Sequence, residues 1–181
     1  RGRVWSPQAQ ADLFRRALER LGVSQAVVLG HSWGASVAVA MALSHPQMVQ
    51  GLVLASGYYY PTARVDMALL SGPAVPLLGD VSRYTTAPIA SRLIWPLLLR
   101  KIFGPAPVPA KFQAFPEEMA VRPSQIRSEA AESALLIPSA TAMCKHYADL
   151  TMQVAIVAGG EDRLIDPAAQ SRRLHQAIAQ S

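Results

Sequence analysis

Cysteine is nearly absent from this chain: Cys144 is the only one among 181 residues. An intramolecular disulfide is therefore excluded, and so is any cysteine-built metal cluster. A lone thiol in a helix-like stretch behaves as a small apolar residue, and it fits a reducing, cytoplasmic setting. Long apolar runs are lacking too. The greasiest segment, "IASRLIWPLLLRKIF", is broken by Arg92 and Arg100 and falls short of the ~20 apolar residues that span a bilayer. Charge is sparse, at 16% of residues against 51% hydrophobic, with a net charge of +5. The basic residues are scattered, and close pairs occur only at Arg15-Arg16, Arg100-Lys101 and Arg172-Arg173. No basic run alternates with aromatics, so nucleic acid is not an expected partner. A composition this apolar excludes a disordered chain, and the length suits one ordinary domain.

What the sequence does contain is an alternation of helix and strand. Ser6 to Leu21 predicts a helix: Ser6 is a good N-cap, Pro7 suits the first turn and Gly22 suits the stop. Gln25 to Leu29 predicts a strand whose run "AVVL" does not alternate, so both of its faces are expected to be covered, as in a parallel sheet. Trp33 to Ser44 predicts a helix of small residues. "VQGLVLAS" (Val49 to Ser56) and "MQVAIVAG" (Met152 to Gly159) predict two further strands, and a helix starts at Pro167 with Asp166 as its cap. This is the grammar of a doubly wound α/β sheet. Residues 57–150 depart from it. They hold most of the 14 prolines and several helical pieces, the clearest from Ser124 to Ile137, which Pro138 is expected to end or kink. The organisation predicted is a core at 1–56, a helical insertion at 57–150 and a second core part at 151–181.

Gly30-His31-Ser32-Trp33-Gly34 fits the pattern G-x-S-x-G between a predicted strand and a predicted helix. A nucleophile projecting from so tight a turn needs tiny neighbours two residues away, here Gly30 and Gly34. The helix that follows aims its first amides at the same point, where they favour negative charge. The backbone N–H of Trp33 can then donate to the oxyanion of a tetrahedral intermediate.

With these residues the chain resembles the α/β-hydrolase fold family, in particular its single-domain esterase, lipase and haloperoxidase-like members with a helical cap. "GHSWG" resembles the family's nucleophile elbow, "GLVLASG" its next strand, and "VAIVAGGEDRLIDP" the strand and loop that carry the catalytic acid. The resemblance implies Ser32 as nucleophile, with His31 within the elbow, and Asp162 as acid. Glu161 and Asp166 are the competing carboxylates; Asp166 is accounted for as a helix cap and Glu161 points elsewhere. Serine at the elbow, where dehalogenases and epoxide hydrolases of this fold carry aspartate, argues against direct attack on an alkyl halide or epoxide. The resemblance implies no cofactor and no metal. Its implied substrate is a small apolar ester, lactone or thioester, with Tyr58 and Trp95 as candidate pocket residues. Trp95 and Leu97 to Leu99 could equally pack the cap. Cofactor-free haloperoxidase or perhydrolase chemistry and non-catalytic binding of an apolar ligand are the alternatives. A third alternative is a cap that acts as a membrane-surface patch, for which the amphipathic "SRLIWPLLLRKIF" is the motive. A membrane surface is nevertheless not the expected partner, and the sequence leaves the oligomeric state open.

The family order is serine, acid, then histidine. His31, His45 and His146 precede Asp162, and His175 falls inside a predicted helix rather than on a loop. The family's HG-type loop, which supplies a second oxyanion amide, has no counterpart before "RGRVWSP". The expectation is an internal fragment lacking the first strands and the base. Loss of the histidine in a protease with this triad costs about 2 × 10⁶ in kcat, so these residues alone are expected to be inactive. Their "AVVL" strand would also become an edge, which invites aggregation.

Overall fold

The computed structural model describes residues 4–64 and 70–181. Arg1 to Arg3 of the opening "RGRVWSP", and 65–69 of the predicted insertion, lie outside the described residues. Two compact units are present. The first comprises Arg1–Thr62, Leu136–Gly160 and Ile165–Ser181, and the second Ala63–Leu135 and Glu161–Leu164.

In the first unit, α1 (Pro7–Arg20) starts as its sequence predicts, with the Ser6 hydroxyl accepting from the Ala9 N–H at 3.2 Å. Gly22, at φ 72°, takes the left-handed turn that stops it. The strand β1 (Ala26–His31) leads into α2 (Trp33–Ser44), and β2 (Val49–Ala55) and β3 (Gln153–Val157) complete a parallel sheet of order β1-β2-β3. Small side chains let α2 sink into the core: Ala35 to Ala42 are all buried. His45, just past the end of α2, places its Nε2 2.9 Å from Asp12 of α1.

The register divides the sheet by face. Val28, Leu52 and Val154 align across the strands, as do Gly30, Leu54 and Ile156. On this face Leu52 is 2% exposed and Leu54 is 0%. The opposite face aligns Leu29, Val53 and Ala155, then His31, Ala55 and Val157, and there Leu29 is 69% exposed and Val157 57%. The expectation that "AVVL" is covered on both faces is therefore corrected. A non-alternating apolar run shows what a strand can bury, whereas cover depends on a second layer, which the described residues place on one face only. β1 is an edge of this sheet, as expected.

The two units do not follow the 57–150 span of the predicted insertion. Residues 57–62 and 136–150 group with the sheet, because Tyr59, Tyr60, Met143 and Tyr147 belong to the same buried cluster as α2 and the inner sheet face. Tyr147 meets Tyr59 and Tyr60 edge-on, with ring centroids 6.4 and 5.5 Å apart.

The second unit contains α3 (Leu78–Ser82), α4 (Thr86–Phe103), α5 (Ala110–Gln113), α6 (Glu117–Ala120) and the first part of α7 (Pro123–Met143). A run of rings, Trp95 on Phe115, Phe115 on Phe112 and Phe112 on Phe103, ties α4 to α5 and the turn after it. Arg92 and Glu118 pair at 2.6 Å. α7 passes through Pro138 instead of ending there. Proline costs a helix one N–H and crowds the carbonyl four residues back, about 3 kcal/mol. The last turns recover this by burial, with Ser139, Ala140 and Met143 inside the core. A final short helix, α8 (Arg173–Ala177), follows β3 and its loop. Among the described residues, no helix is long and apolar enough to cross a membrane.

Candidate active site

The corner between β1 and α2 is built on Gly30. A Cβ there would lie 2.4 Å from the Gly34 carbonyl oxygen and 2.7 Å from the Ala35 Cα. Both are backbone atoms and cannot swing aside, so glycine is obligatory. Gly34 differs: a Cβ at that position meets nothing within 4 Å among the described residues. The steric requirement expected of both glycines is thus met by Gly30, while the side-chain position of Gly34 is open.

Ser32 takes φ 54° and ψ −122°, a conformation that costs a non-glycine residue about 1–3 kcal/mol. It occupies the N-cap of α2, yet its hydroxyl makes no capping bond. An ordinary N-cap serine accepts from an amide of the first turn. Here the backbone holds the residue instead: Ser32 N–H donates to the Ala55 carbonyl at 2.9 Å, and the Ser32 carbonyl accepts from Ala35 N–H at 3.0 Å. The residue is exposed, as is His31 at the end of β1. Trp33 opens α2, where amides lack partners inside the helix and the aligned peptide dipoles favour an anion. Its indole packs on the core with Nε1 buried and no acceptor among the described residues. Its backbone N–H lies in that first turn of α2.

Tyr58 follows β2 but is only 2% exposed. Its hydroxyl donates to the Thr62 carbonyl at 2.9 Å and accepts from Thr62 N–H at 2.7 Å and Thr62 Oγ1 at 3.1 Å. The side chain thereby closes its own loop, which is a structural task. A cavity of about 290 Å³ in this unit is lined by Gln8, Leu43, Pro46, Met143, His146 and Asp149 among others, and by none of the candidate site residues.

The remaining candidates lie in the second unit. Asp162 is half-buried, and its Oδ1 accepts from Leu164 N–H at 2.8 Å. Arg64 donates to the Leu164 carbonyl at 3.0 Å and secures the same turn. Glu161 is exposed. Trp95 is half-buried against Phe115, and Leu97 is 65% exposed. Asp166, in the first unit, caps the following turn as its sequence predicts, accepting from Ala168 N–H at 2.8 Å and Ala169 N–H at 3.2 Å.

Three of the four histidines face partners close by. His45 contacts Asp12, His146 lies 3.0 Å from Asp149, and His175, within α8, lies 2.9 Å from the Ser181 hydroxyl. Among the described residues no group of three or more histidine, cysteine, aspartate or glutamate side chains could hold a metal ion.

The family model for the alpha/beta hydrolase fold matches residues 6–181, a span that includes the Ser32 corner, the sheet and the Asp162 loop. The chain belongs to the α/β-hydrolase fold family. Solved α/β-hydrolase structures agree at the level of fold. MGS-M2, an alpha/beta hydrolase enzyme from a Medee basin deep-sea metagenome library, superposes with a TM-score of 0.75 at 17% identity, over 99% of this chain and 63% of that one. A thermophilic esterase from Thermogutta terrifontis gives a TM-score of 0.66 at 20% identity, over 99% and 62%. The enol-lactonase from Burkholderia xenovorans LB400 gives 0.64 at 17% identity, over 97% and 62%. The chain thus spans about three fifths of the length of these structures. A search of curated proteins returned no match.

Two features of this α/β-hydrolase corner escaped the sequence reading. Gly57 is also tight, since a Cβ there would lie 2.4 Å from the Tyr59 hydroxyl and 2.6 Å from the Ala35 Cβ, although these are side-chain atoms and not the backbone that crowds Gly30. Gln170 is 2% exposed and fixes the loop after β2. The signal for Gln170 was present: it precedes Leu174 and Ile178 at intervals of four, so a polar residue stands on an apolar helical stripe.

Proposed function

We propose that this chain carries the nucleophile and the acid of a serine hydrolase that cleaves a carboxylic ester, lactone or thioester with an apolar group. The observation that carries the reading is Ser32: a strained, exposed serine whose hydroxyl does not cap the helix it begins. Strain of this kind persists only where surrounding structure enforces it, and the Gly30 cradle does so. Topology supports the acid. The three strands are parallel, so the C-terminal ends of β1 and β3 point the same way, and Asp162 follows β3 by five residues in sequence. The named activities of the esterase and the enol-lactonase are of the same reaction class.

In the proposed reaction Ser32 Oγ bonds to the substrate carbonyl carbon and its proton passes to a histidine base. Asp162 orients that base, which in the family order follows the acid. His31, His45 and His146 precede Asp162 and His175 lies within α8 against the Ser181 hydroxyl, so we place the base outside these 181 residues. The oxyanion accepts from the Trp33 N–H. Collapse breaks the bond to the alcohol or thiol, which leaves with the proton from the histidine. Water, deprotonated by the same base, then releases the carboxylic acid and regenerates Ser32. The test is turnover of p-nitrophenyl esters of increasing acyl length by the enzyme expressed from its complete reading frame. Ser32→Ala is expected to lower kcat by about 10⁶ and Asp162→Asn by about 10⁴. Undiminished turnover in Ser32→Ala would overturn the reading.

A further inference from the structure

Gln170 uses all of its hydrogen-bonding capacity on one short loop. Its Oε1 accepts from the N–H groups of Tyr59 at 2.7 Å and Tyr60 at 2.8 Å. Its Nε2 donates to the Tyr60 carbonyl at 2.9 Å and to Thr62 Oγ1 at 3.4 Å. The side chain reaches this loop from a wide helical turn in which Arg172 N–H donates to the Pro167 carbonyl, five residues back. Such turns displace a side chain from ordinary helical register and recur at functional sites.

The loop it holds lies against the helix that begins at Ser32. Ser36 Oγ donates to the Tyr58 carbonyl at 3.4 Å, and the absent Cβ of Gly57 leaves room for Ala35 and the Tyr59 ring. Tyr147 adds a third hold, donating to the Tyr59 carbonyl at 2.6 Å. Ala35 and Ser36 are in the first turn of α2, and Ala35 N–H donates to the Ser32 carbonyl. Movement of the loop is therefore transmitted within one turn to the serine and to the amides beside it. An amide is the side chain this place requires. A carboxylate would set a second oxygen against the Tyr60 carbonyl, and an apolar residue would leave two buried N–H groups without acceptors.

We propose that Gln170 is a positioning residue for Ser32, acting through loop 57–62 rather than by contact with substrate. This rests on Ser32 being the nucleophile. The test is the rate at which a fluorophosphonate modifies Ser32 in the enzyme from its complete reading frame. Wild type, Gln170→Met, Gln170→Glu and Leu174→Ala are compared well below each melting temperature. Leu174 is fully buried in the same helical stripe and in the same core cluster as Tyr59 and Tyr60, so its truncation lowers stability while keeping the Gln170 hydrogen bonds to the loop.

Gln170→Met is expected to react about 10- to 100-fold more slowly, in its limiting rate rather than in reagent affinity, while Leu174→Ala reacts like wild type. Gln170→Glu is expected to be slow at pH 8. Relative to wild type it recovers in acid, because a protonated carboxyl has one acceptor and one donor, like the amide it replaces. If Gln170→Met does not fold, the Gln170→Glu ratio across pH decides. Modification of Gln170→Met within twofold of wild type, or a flat Gln170→Glu ratio, would overturn the proposal. An unmodified Ser32 in wild type would instead overturn the nucleophile itself, and with it the role built on it.

Discussion

Two serines of this chain stand at the N-caps of neighbouring helices and do opposite things. Ser6 sits at φ −64° and ψ 164° and caps α1 with its hydroxyl. Ser32 sits at φ 54° and ψ −122° and leaves α2 uncapped. Both precede a helix, and only one is used to stabilise it. The difference lies in what comes before. Ser6 follows Val4 and Trp5, which belong to no helix or strand. Ser32 follows a strand pinned by its register to β2 and must turn within one residue into a buried helix. The helix loses one capping bond, worth about 1 kcal/mol, and the corner stores strain besides. In return, a hydroxyl is presented beside the positive end of a helix. Stability forgone at one N-cap and retained at the other is what the role proposed for Ser32 requires.

That contrast can be broken by substitution. The largest effect is expected at the glycine that enforces the turn. Gly30→Ala forces a Cβ into the Gly34 carbonyl and should destabilise the fold by about 3 kcal/mol. Gly34→Ala, with open space at its Cβ, should be neutral or gain about 0.5 kcal/mol from alanine's helix propensity. Urea denaturation of the two variants measures the difference, and equal losses would refute the one-sided cradle. Next in size is the exchange between the serines. Ser6→Ala should lose about 1 kcal/mol, whereas Ser32→Gly should gain about 1 kcal/mol by relieving the positive φ. Shifts of the same sign would mean that Ser32 is an ordinary cap.

The smallest effect concerns the bridge between the two helices. The hydrogen bond from His45 holds the Asp12 carboxyl below its ordinary value, with smaller contributions from His45, Arg15 and Arg16 charge. A folded-state pKa depressed in this way stabilises the fold above the unfolded value, about 3.9, and the contribution disappears as pH falls through the folded value. Asp12→Asn should therefore melt slightly below wild type at pH 6, with the gap closing toward pH 3. A gap that widens in acid would contradict the pairing.

How much of this was legible in the sequence follows from how local each feature is. The Ser6 cap, the Gly22 stop, the Asp166 cap and the strand–elbow–helix corner depend on residues within a turn of one another, and all stand where the sequence puts them. Pro138 was expected to end or kink its helix; the helix does not end there, because the local penalty is offset by burial of Ala140 and Met143 against elements far away in the chain. The open sheet face was not legible because hydrophobicity records a capacity to be buried, while among the described residues no layer meets Leu29, which is 69% exposed. The tyrosines at 58–60 were assigned to the insertion by position. The backbone of Tyr59 and Tyr60 is held by Gln170 and Tyr147, about 90–110 residues away.

The most direct test is to trap the intermediate. The enzyme from its complete reading frame is mixed with p-nitrophenyl butyrate, quenched in acid within the first turnover and mapped by peptide mass spectrometry. The account predicts a butyryl group on the peptide bearing Ser32, and none in Ser32→Ala. Turnover with the acyl group on another residue, or undiminished in Ser32→Ala, would contradict it.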